Sequence, residues 1–473
     1  MNLVKKITIG LLASASLAVA EKPNIIMIFS DDMHYGALGA TGSHNTKAKT
    51  PNIDSIFHEG VFFPQGYSSH ATCAPSRAGL MTGRYQARFD YETLPGSTES
   101  RIKDDFGVDV NEVMMPAVLK QAGYRTAAFG KWHLGTNDHF QPNQRGFDHW
   151  FGYRGSCGYY QFRSEVQAAR AGKKYTPKEG EKPMLDIVRN GESVQMHGYL
   201  TEHFTADAAN WIKQEAKTDE PFFVYFAPYN VHAPDLAPPK YTPEGGSPND
   251  GVIQALDVSV GGILDAVREA GIEDNTVIVF ADDNGGKKEY GNDPYRAGKA
   301  TFYEGGVRVP FAMKWPKQIK PGTKYDGLVS TLDMLPTFAA IAGADMPEGK
   351  PTDGYDLMPF IRGEKTAAEG RKVLFWRNGG AIAVRSGDWK LVMPVDRRKV
   401  AALLKSKGIV HEKGRMVTQA ERDRALFLPP ELYNLKDDVG ETTDLAAKNP
   451  EMVQQLLKLI DEWEATIPRW RDE

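Results

Sequence analysis

Two cysteines among 473 residues rule out a disulfide scaffold or a cysteine-built metal centre as the basis of this fold. They are Cys73 and Cys157, and a single bridge between them is the most the chain could form. An excess of one charge is also missing. Lys and Arg number 57 against 61 Asp and Glu, a net charge of −4, so no global basic field exists to draw in nucleic acid. An anionic ligand would need a local basic pocket. No internal repeat and no low-complexity tract interrupts the chain. Long apolar runs are absent except near the start, where residues 7–17 follow Lys5 and Lys6 and precede Ala18-Val19-Ala20. That run is shorter than the roughly 20 residues a membrane helix needs. It predicts a signal peptide over residues 1–20 and an exported protein, periplasmic or secreted, with no membrane partner. No cysteine follows it to carry a lipid anchor.

The rest of the chain can bury a large core, since 41% of its residues are hydrophobic. Residues 23–32 form a short apolar run ending in Asp31-Asp32, the pattern of a strand buried on both faces. Residues 124–130, 221–227, 276–281 and 309–315 repeat it, with helical patterns at 111–122, 201–215 and 252–270 between them. This alternation predicts an α/β fold, a large mainly parallel mixed sheet sandwiched by helices, over residues 21–365. From 366 to 473 the style changes. Residues 381–393 alternate like an antiparallel pair turning at Ser386-Gly387-Asp388, residues 431–435 read as a further strand, and 451–465 as an amphipathic helix. A smaller C-terminal α+β subdomain is expected there.

Ligands of parallel sheets gather beyond the carboxyl ends of the strands. Asp31-Asp32, Lys131-Trp132-His133, Asn230-Val231-His232 and Asp282-Asp283-Asn284 all follow a predicted strand, so the four places are expected to face one site. Asp31, Asp32, Asp283 and Asn284 are oxygen donors without a His among them, which favours Ca2+, then Mg2+, over Zn2+; any pair of them could equally cap a helix or turn. Asp282 is assigned no role. In Cys73-Ala74-Pro75-Ser76-Arg77, Pro75 suits the first turn of a helix and Gly83 the left-handed position after its last turn. Cys73 would then sit at or before the N-cap, where free N–H groups favour an anion, with the cation Arg77 one turn on. A capped helix with an unreactive thiol, or one bridged to Cys157, would give the same pattern.

The stretch Cys73-Ala74-Pro75-Ser76-Arg77 with its tail Leu80-Met81-Thr82-Gly83-Arg84 resembles the signature of the formylglycine-dependent sulfatases, within the alkaline phosphatase superfamily. Gly130-Lys131-Trp132-His133-Leu134-Gly135, Asn230-Val231-His232-Ala233-Pro234, Asp283-Asn284-Gly285 and Lys299 before Tyr303-Glu304-Gly305-Gly306 are similar to other segments of that family. The resemblance implies that a formylglycine-generating enzyme converts Cys73 to 3-oxoalanine (formylglycine). It also implies that one Ca2+ is bound by Asp31, Asp32, Cys73, Asp283 and Asn284. By the same resemblance, the metal and Arg77 lower the pKa of one hydroxyl of the aldehyde hydrate, which attacks a sulfate ester, and Lys131 holds the hydrate and sulfate oxygens. His232 with Lys299 then protonates the leaving oxygen, and His133 takes the proton of the second hydroxyl as C–O cleavage expels sulfate. Export, a basic insert at 397–424 and aromatic loops such as Tyr159-Tyr160 favour a sulfated polysaccharide or its oligosaccharides as substrate. Arg154 and Arg163 are candidate substrate contacts. An aryl or small-molecule sulfatase, a related phosphodiesterase or phosphonate hydrolase, and a non-catalytic sugar-binding relative are the competing readings.

Overall fold

The computed structural model describes residues 22–94, 105–155, 158–173, 175, 180–378, 381–396, 398–399 and 426–467. The expected signal peptide, Cys157 and, apart from Arg398 and Lys399, the basic insert lie outside them.

A ten-stranded mixed sheet organises the chain. Its centre is four parallel strands in the order Thr276–Asp282, Asn24–Ser30, Phe222–Ala227, Arg125–Lys131. His149–Tyr153 continues the sheet in parallel, and antiparallel strands follow at Ile187–Arg189 and Glu192–Val194. The unbroken apolar runs have a direct cause: both faces of the sheet are covered. Ile25, Met27 and Phe29 pack into a cluster with Ala74, Ala78 and Leu80 of the Cys73–Thr82 helix and with Leu335 and Phe338 of the Met334–Ala342 helix. Ile26 and Ile28 point the other way, against Leu200, Phe204 and Ile212 of the Leu200–Glu215 helix and Leu256 and Val260 of the Pro248–Glu269 helix. Each such fully buried side chain contributes about 1.5–3 kcal/mol.

Three elements differ from expectation, each for a local reason. The helix anticipated at 111–122 is Met115–Gln121, opening at Pro116, while the Arg145 guanidinium takes the Val108, Asp109 and Glu112 carbonyls outside it. The helix anticipated at 252–270 begins earlier, at Pro248, because Ser247 and Asp250 close a reciprocal cap in front of it. The strand anticipated at 309–315 contracts to Ala312–Lys314, since Pro310 carries no N–H for the ladder, and it runs antiparallel to Thr276–Asp282.

Strands Val373–Asn378, Ala381–Ser386, Trp389–Pro394 and Glu431–Asn434 make a separate antiparallel sheet. The Pro450–Ala465 helix covers it with Val453, Leu456, Ile460 and Trp463. Polar contacts tie this sheet to the larger domain. Trp376 Nε1 donates to the Ser68 carbonyl at 2.9 Å, and the buried Lys390 bridges Glu304 at 2.8 Å and Glu441 at 3.0 Å.

Candidate active site

The four central strands end side by side, so the residues that follow them meet. Lys131 closes its strand, Asp31-Asp32 and Asp283-Asn284 follow theirs directly, and His232 lies a few residues beyond Ala227. The Cys73–Thr82 helix is buried along its whole length. Its N-cap is the extended Thr72, which corrects the expected position of Cys73: it is the first helical residue, with a free N-terminal N–H. Gly83 takes the predicted left-handed conformation at φ +64° and donates to the Gly79 carbonyl at 2.8 Å. Gly130 enters the Lys131 segment at φ +96° with no room for a Cβ against the Ala227 carbonyl. Asp32 and His133, both at φ +63°, are non-glycine residues held in the left-handed region, a strain of about 1–3 kcal/mol each that collects at functional sites.

The side chains divide into a closed floor and an open rim. Arg77 donates Nε to Asp283 at 2.9 Å and Nη1 to the Tyr225 hydroxyl at 3.0 Å, with Nη2 2.7 Å from Asp283 and 3.8 Å from Asp31. Lys131 Nζ meets Asp31 at 2.5 Å, and the Lys131, Asp31, Arg77 and Asp283 side chains are all fully enclosed. Lys299 reaches Asp32 at 2.5 Å and His232 Nε2 lies 3.6 Å from Asp32, yet their side chains are 19% and 22% exposed. His133 is buried, and neither ring nitrogen has a hydrogen-bond partner among the described residues. Its backbone N–H donates to the Arg154 carbonyl at 3.2 Å, which sets Arg154 beside the site; the Arg154 guanidinium itself pairs with Asp138 at 2.6 Å. Arg163 stands apart, exposed at the start of the Arg163–Arg170 helix.

Burial and this charge pattern set the protonation of the site. Burial alone would raise the Asp31 carboxyl, but Lys131, His232, Arg77 and Lys299 together hold it well below the usual carboxylate range. Burial, reinforced by Asp31, pushes Asp283 up to about 7, and burial with Asp283 also raises Asp282 well above the usual carboxylate range. Burial and the Lys131 charge hold His133 well below the ordinary imidazole range, and burial lowers His232 as well. The Cys73 thiol is raised, chiefly by burial. Cys73 is a free thiol, and a thiol held protonated is a weak nucleophile.

The acidic group fits a divalent cation. Asp31 Oδ1, Asp32 Oδ2 and Asn284 Oδ1 are buried and lack hydrogen-bond partners among the described residues. Leaving such atoms unsatisfied costs about 1–3 kcal/mol each, which a bound ion would remove. One ligand atom each from Asp31, Cys73 and Asp283 lies within 4.8 Å of the other two, and the same holds for Asp31, Asp32 and His232. These three unsatisfied atoms of the acidic group are oxygens, as a hard cation prefers.

Several site residues escaped the sequence reading. Tyr225 looks like strand core, yet its hydroxyl accepts from Arg77. Tyr229 stacks on His232 with ring centroids 4.7 Å apart, and its hydroxyl lies 2.6 Å from Nδ1. Asp282, expected beside the site but without a role, accepts a hydrogen bond from Ser30 within the strand ends. Asn292 accepts from Gly286 N–H at 3.1 Å and donates to the Gly286 and Ala297 carbonyls at 3.0 and 2.9 Å, joining the Asp283-Asn284 loop to the Lys299 loop.

The family profile described as sulfatase matches residues 23–344, and one described as N-sulphoglucosamine sulphohydrolase, C-terminal, matches residues 297–393. Over 398 residues the chain is 33% identical to the N-acetylgalactosamine-6-sulfatase of Sus scrofa, covering 80% of this chain and 74% of that protein. It is 30% identical to the N-acetylgalactosamine-6-O-sulfatase of Bacteroides thetaiotaomicron, covering 93% of both. Among solved structures it is similar to Ps i-CgsB in complex with k-i-k-neocarrahexaose, with a TM-score of 0.77, 29% identity, and coverage of 95% of this chain and 94% of that one.

Proposed function

This chain belongs to the sulfatase family and is a sulfatase, and from that premise we propose that it hydrolyses sulfate esters of a sulfated polysaccharide or its oligosaccharides. In this reading Cys73 is matured to formylglycine, and one calcium ion is held by Asp31, Asp32, Cys73, Asp283 and Asn284. The observation that carries it is the floor and rim: enclosed Arg77 and Lys131 beside Cys73 and the aspartates, with His232 and Lys299 partly open above them.

A hydrated aldehyde at position 73 would supply one hydroxyl that attacks sulfur as the S–O bond to the alcohol breaks. The proton of its second hydroxyl would pass to His133 as the C–O bond to the bound sulfate breaks and the aldehyde is restored, a release that a cysteine or serine cannot match. A calcium ion held by Asp31, Asp32, Asp283 and Asn284 would supply positive charge beside position 73. The residues of the chain do the rest. Lys131, with its ammonium fixed in the floor, holds sulfate oxygens, and Arg77 keeps Asp283 and Asp31 in place while adding positive charge. Because His232 and Lys299 stand at the open side, they face the alcohol half of the ester. His232 Nε2 delivers the proton to the leaving oxygen, while Tyr229 and the Ala233 carbonyl at 2.7 Å fix Nδ1. His133, kept neutral by its burial, accepts a proton inside the closed part.

Cys73 is only 2% exposed, so a formylglycine-generating enzyme must meet it before this helix packs. The run over residues 1–20 supports export to the periplasm or beyond. No described helix is long and apolar enough to cross a membrane. The carbohydrate substrate is supported by relatives named for N-acetylgalactosamine sulfate and by a neighbour whose complex holds neocarrahexaose.

Inorganic sulfate release from carrageenans, chondroitin 6-sulfate, their oligosaccharides and 4-nitrophenyl sulfate tests the proposal. Release from one saccharide family is expected. Release from the aryl ester alone would restrict the enzyme to small sulfate esters and overturn the carbohydrate assignment.

A further inference from the structure

Beyond the far end of the Cys73–Thr82 helix, about 15 Å of helix away from Cys73, a cavity of about 450 Å3 opens where the small sheet and its helix meet the rest of the molecule. Tyr85, Asp353, Tyr355, Arg371, Lys372, Phe375 and Trp463 are among its lining residues. Tyr355 is 44% exposed, unusual for a large ring, and the Arg371 guanidinium lies 4.6 Å from that ring's centroid. Trp463 stacks parallel to Phe375 at 4.9 Å.

The polar balance of this cavity is one-sided. Arg371 and Trp463 are each 7% exposed, and Arg371 Nε and Trp463 Nε1 are buried donors without a partner among the described residues. No buried side-chain oxygen of the lining residues is left in that state. The carboxylates nearby are already engaged, Asp353 by Arg88 at 2.7 Å and Asp333 by Arg371. Lys372 is exposed and donates to a carbonyl, that of Ala368, rather than to a carboxylate. Two unpartnered donors, the exposed Lys372 cation, which also interacts with Glu369, and an exposed ring together suit a ligand that is rich in acceptors, anionic and flat on one face.

We propose that this cavity is a second saccharide site, which holds a sulfated sugar of the polymer away from the catalytic centre. It rests on the carbohydrate reading above and extends it: a polymer held at two points stays near the catalytic centre through its raised effective concentration.

The test is affinity electrophoresis of the Cys73→Ser protein in gels containing chondroitin 6-sulfate or ι-carrageenan. Tyr355→Ala and Lys372→Glu, both at exposed positions, are expected to raise the apparent dissociation constant about fivefold each for the polymer that retains the parent. Lys217→Glu, exposed beyond the Leu200–Glu215 helix, is expected to leave it unchanged. Unaltered retention of the Tyr355→Ala/Lys372→Glu double variant overturns the proposal, as does an equal loss in Lys217→Glu or a parent that neither polymer retains. Sulfate release by the matured protein is read separately. If it is absent while the two cavity variants still weaken retention, the ester-hydrolysis reading fails and the second site stands.

Discussion

Arg77 is fixed from every side: Asp283 and Asp31 by charge, Tyr225 and the Ser30 carbonyl by hydrogen bonds, and the Phe29 ring 5.3 Å from its guanidinium. A lysine keeps the charge but not the planar fork. Arg77→Lys is therefore expected to lower kcat/KM for sulfate release about a hundredfold or more, mainly through kcat. The unsatisfied oxygens of Asp31, Asp32 and Asn284 give a second prediction. Dialysis against a chelator should lower the melting temperature and abolish activity, and calcium should restore both. A melting temperature indifferent to chelator and calcium would remove the cation from the site. Asp31, Asp32, Lys131, His133, His232, Asp283 and Asn284 were legible as a group because each lies at or just after a strand end and the resemblance named it. Tyr225 and Tyr229 were not, because a tyrosine in or just after a buried strand has the same pattern as core until its hydroxyl is seen to meet Arg77 or His232.

Between elements, the loops that carry the proposed metal-binding and catalytic side chains are cross-braced. Asn292 uses its whole amide to join the Gly286 and Ala297 backbones, and Lys299 N–H adds a bond to the Gly286 carbonyl at 3.0 Å. Asn292→Ala leaves these groups unpaired and is expected to cost about 2–3 kcal/mol. It should lower both the melting temperature and kcat/KM, as measured by thermal unfolding and sulfate release. The small sheet is fastened by Lys390 between Glu304 and Glu441. Burial, with Glu304 nearby, pushes Glu441 up to about 7. Its folded value lies above the unfolded one near 4.5, so its stability contribution is full below about pH 4.5 and is lost as pH rises through 7. The stability of Glu441→Gln relative to the parent should therefore increase between pH 6 and pH 8.5 in denaturant unfolding; a difference flat across that range would refute the shifted carboxyl. Helix cores were readable from their period, but their ends were not where proline or a cap decides, as at Pro116 and Ser247.

At the scale of the molecule, the central sheet was legible because strands buried on both faces must be apolar throughout, and residues 23–32 and 276–281 are. Strand order was not, because pairing is long-range: Asn24–Ser30 lies between Phe222–Ala227 and Thr276–Asp282, some 200 and 250 residues further along the chain. The antiparallel direction of Ala312–Lys314 was hidden for the same reason. That four separate strand ends converge on Cys73 is what makes the motif a site, and the claim that the site depends on an altered residue 73 is the central one. Its most direct test is to prepare the protein with and without a formylglycine-generating enzyme. The mass of the peptide carrying position 73 is then compared with the rate of sulfate release from the same samples. The rate is expected to rise in proportion to the aldehyde fraction and to vanish in Cys73→Ser. Undiminished turnover by protein whose position 73 is wholly cysteine would contradict the account.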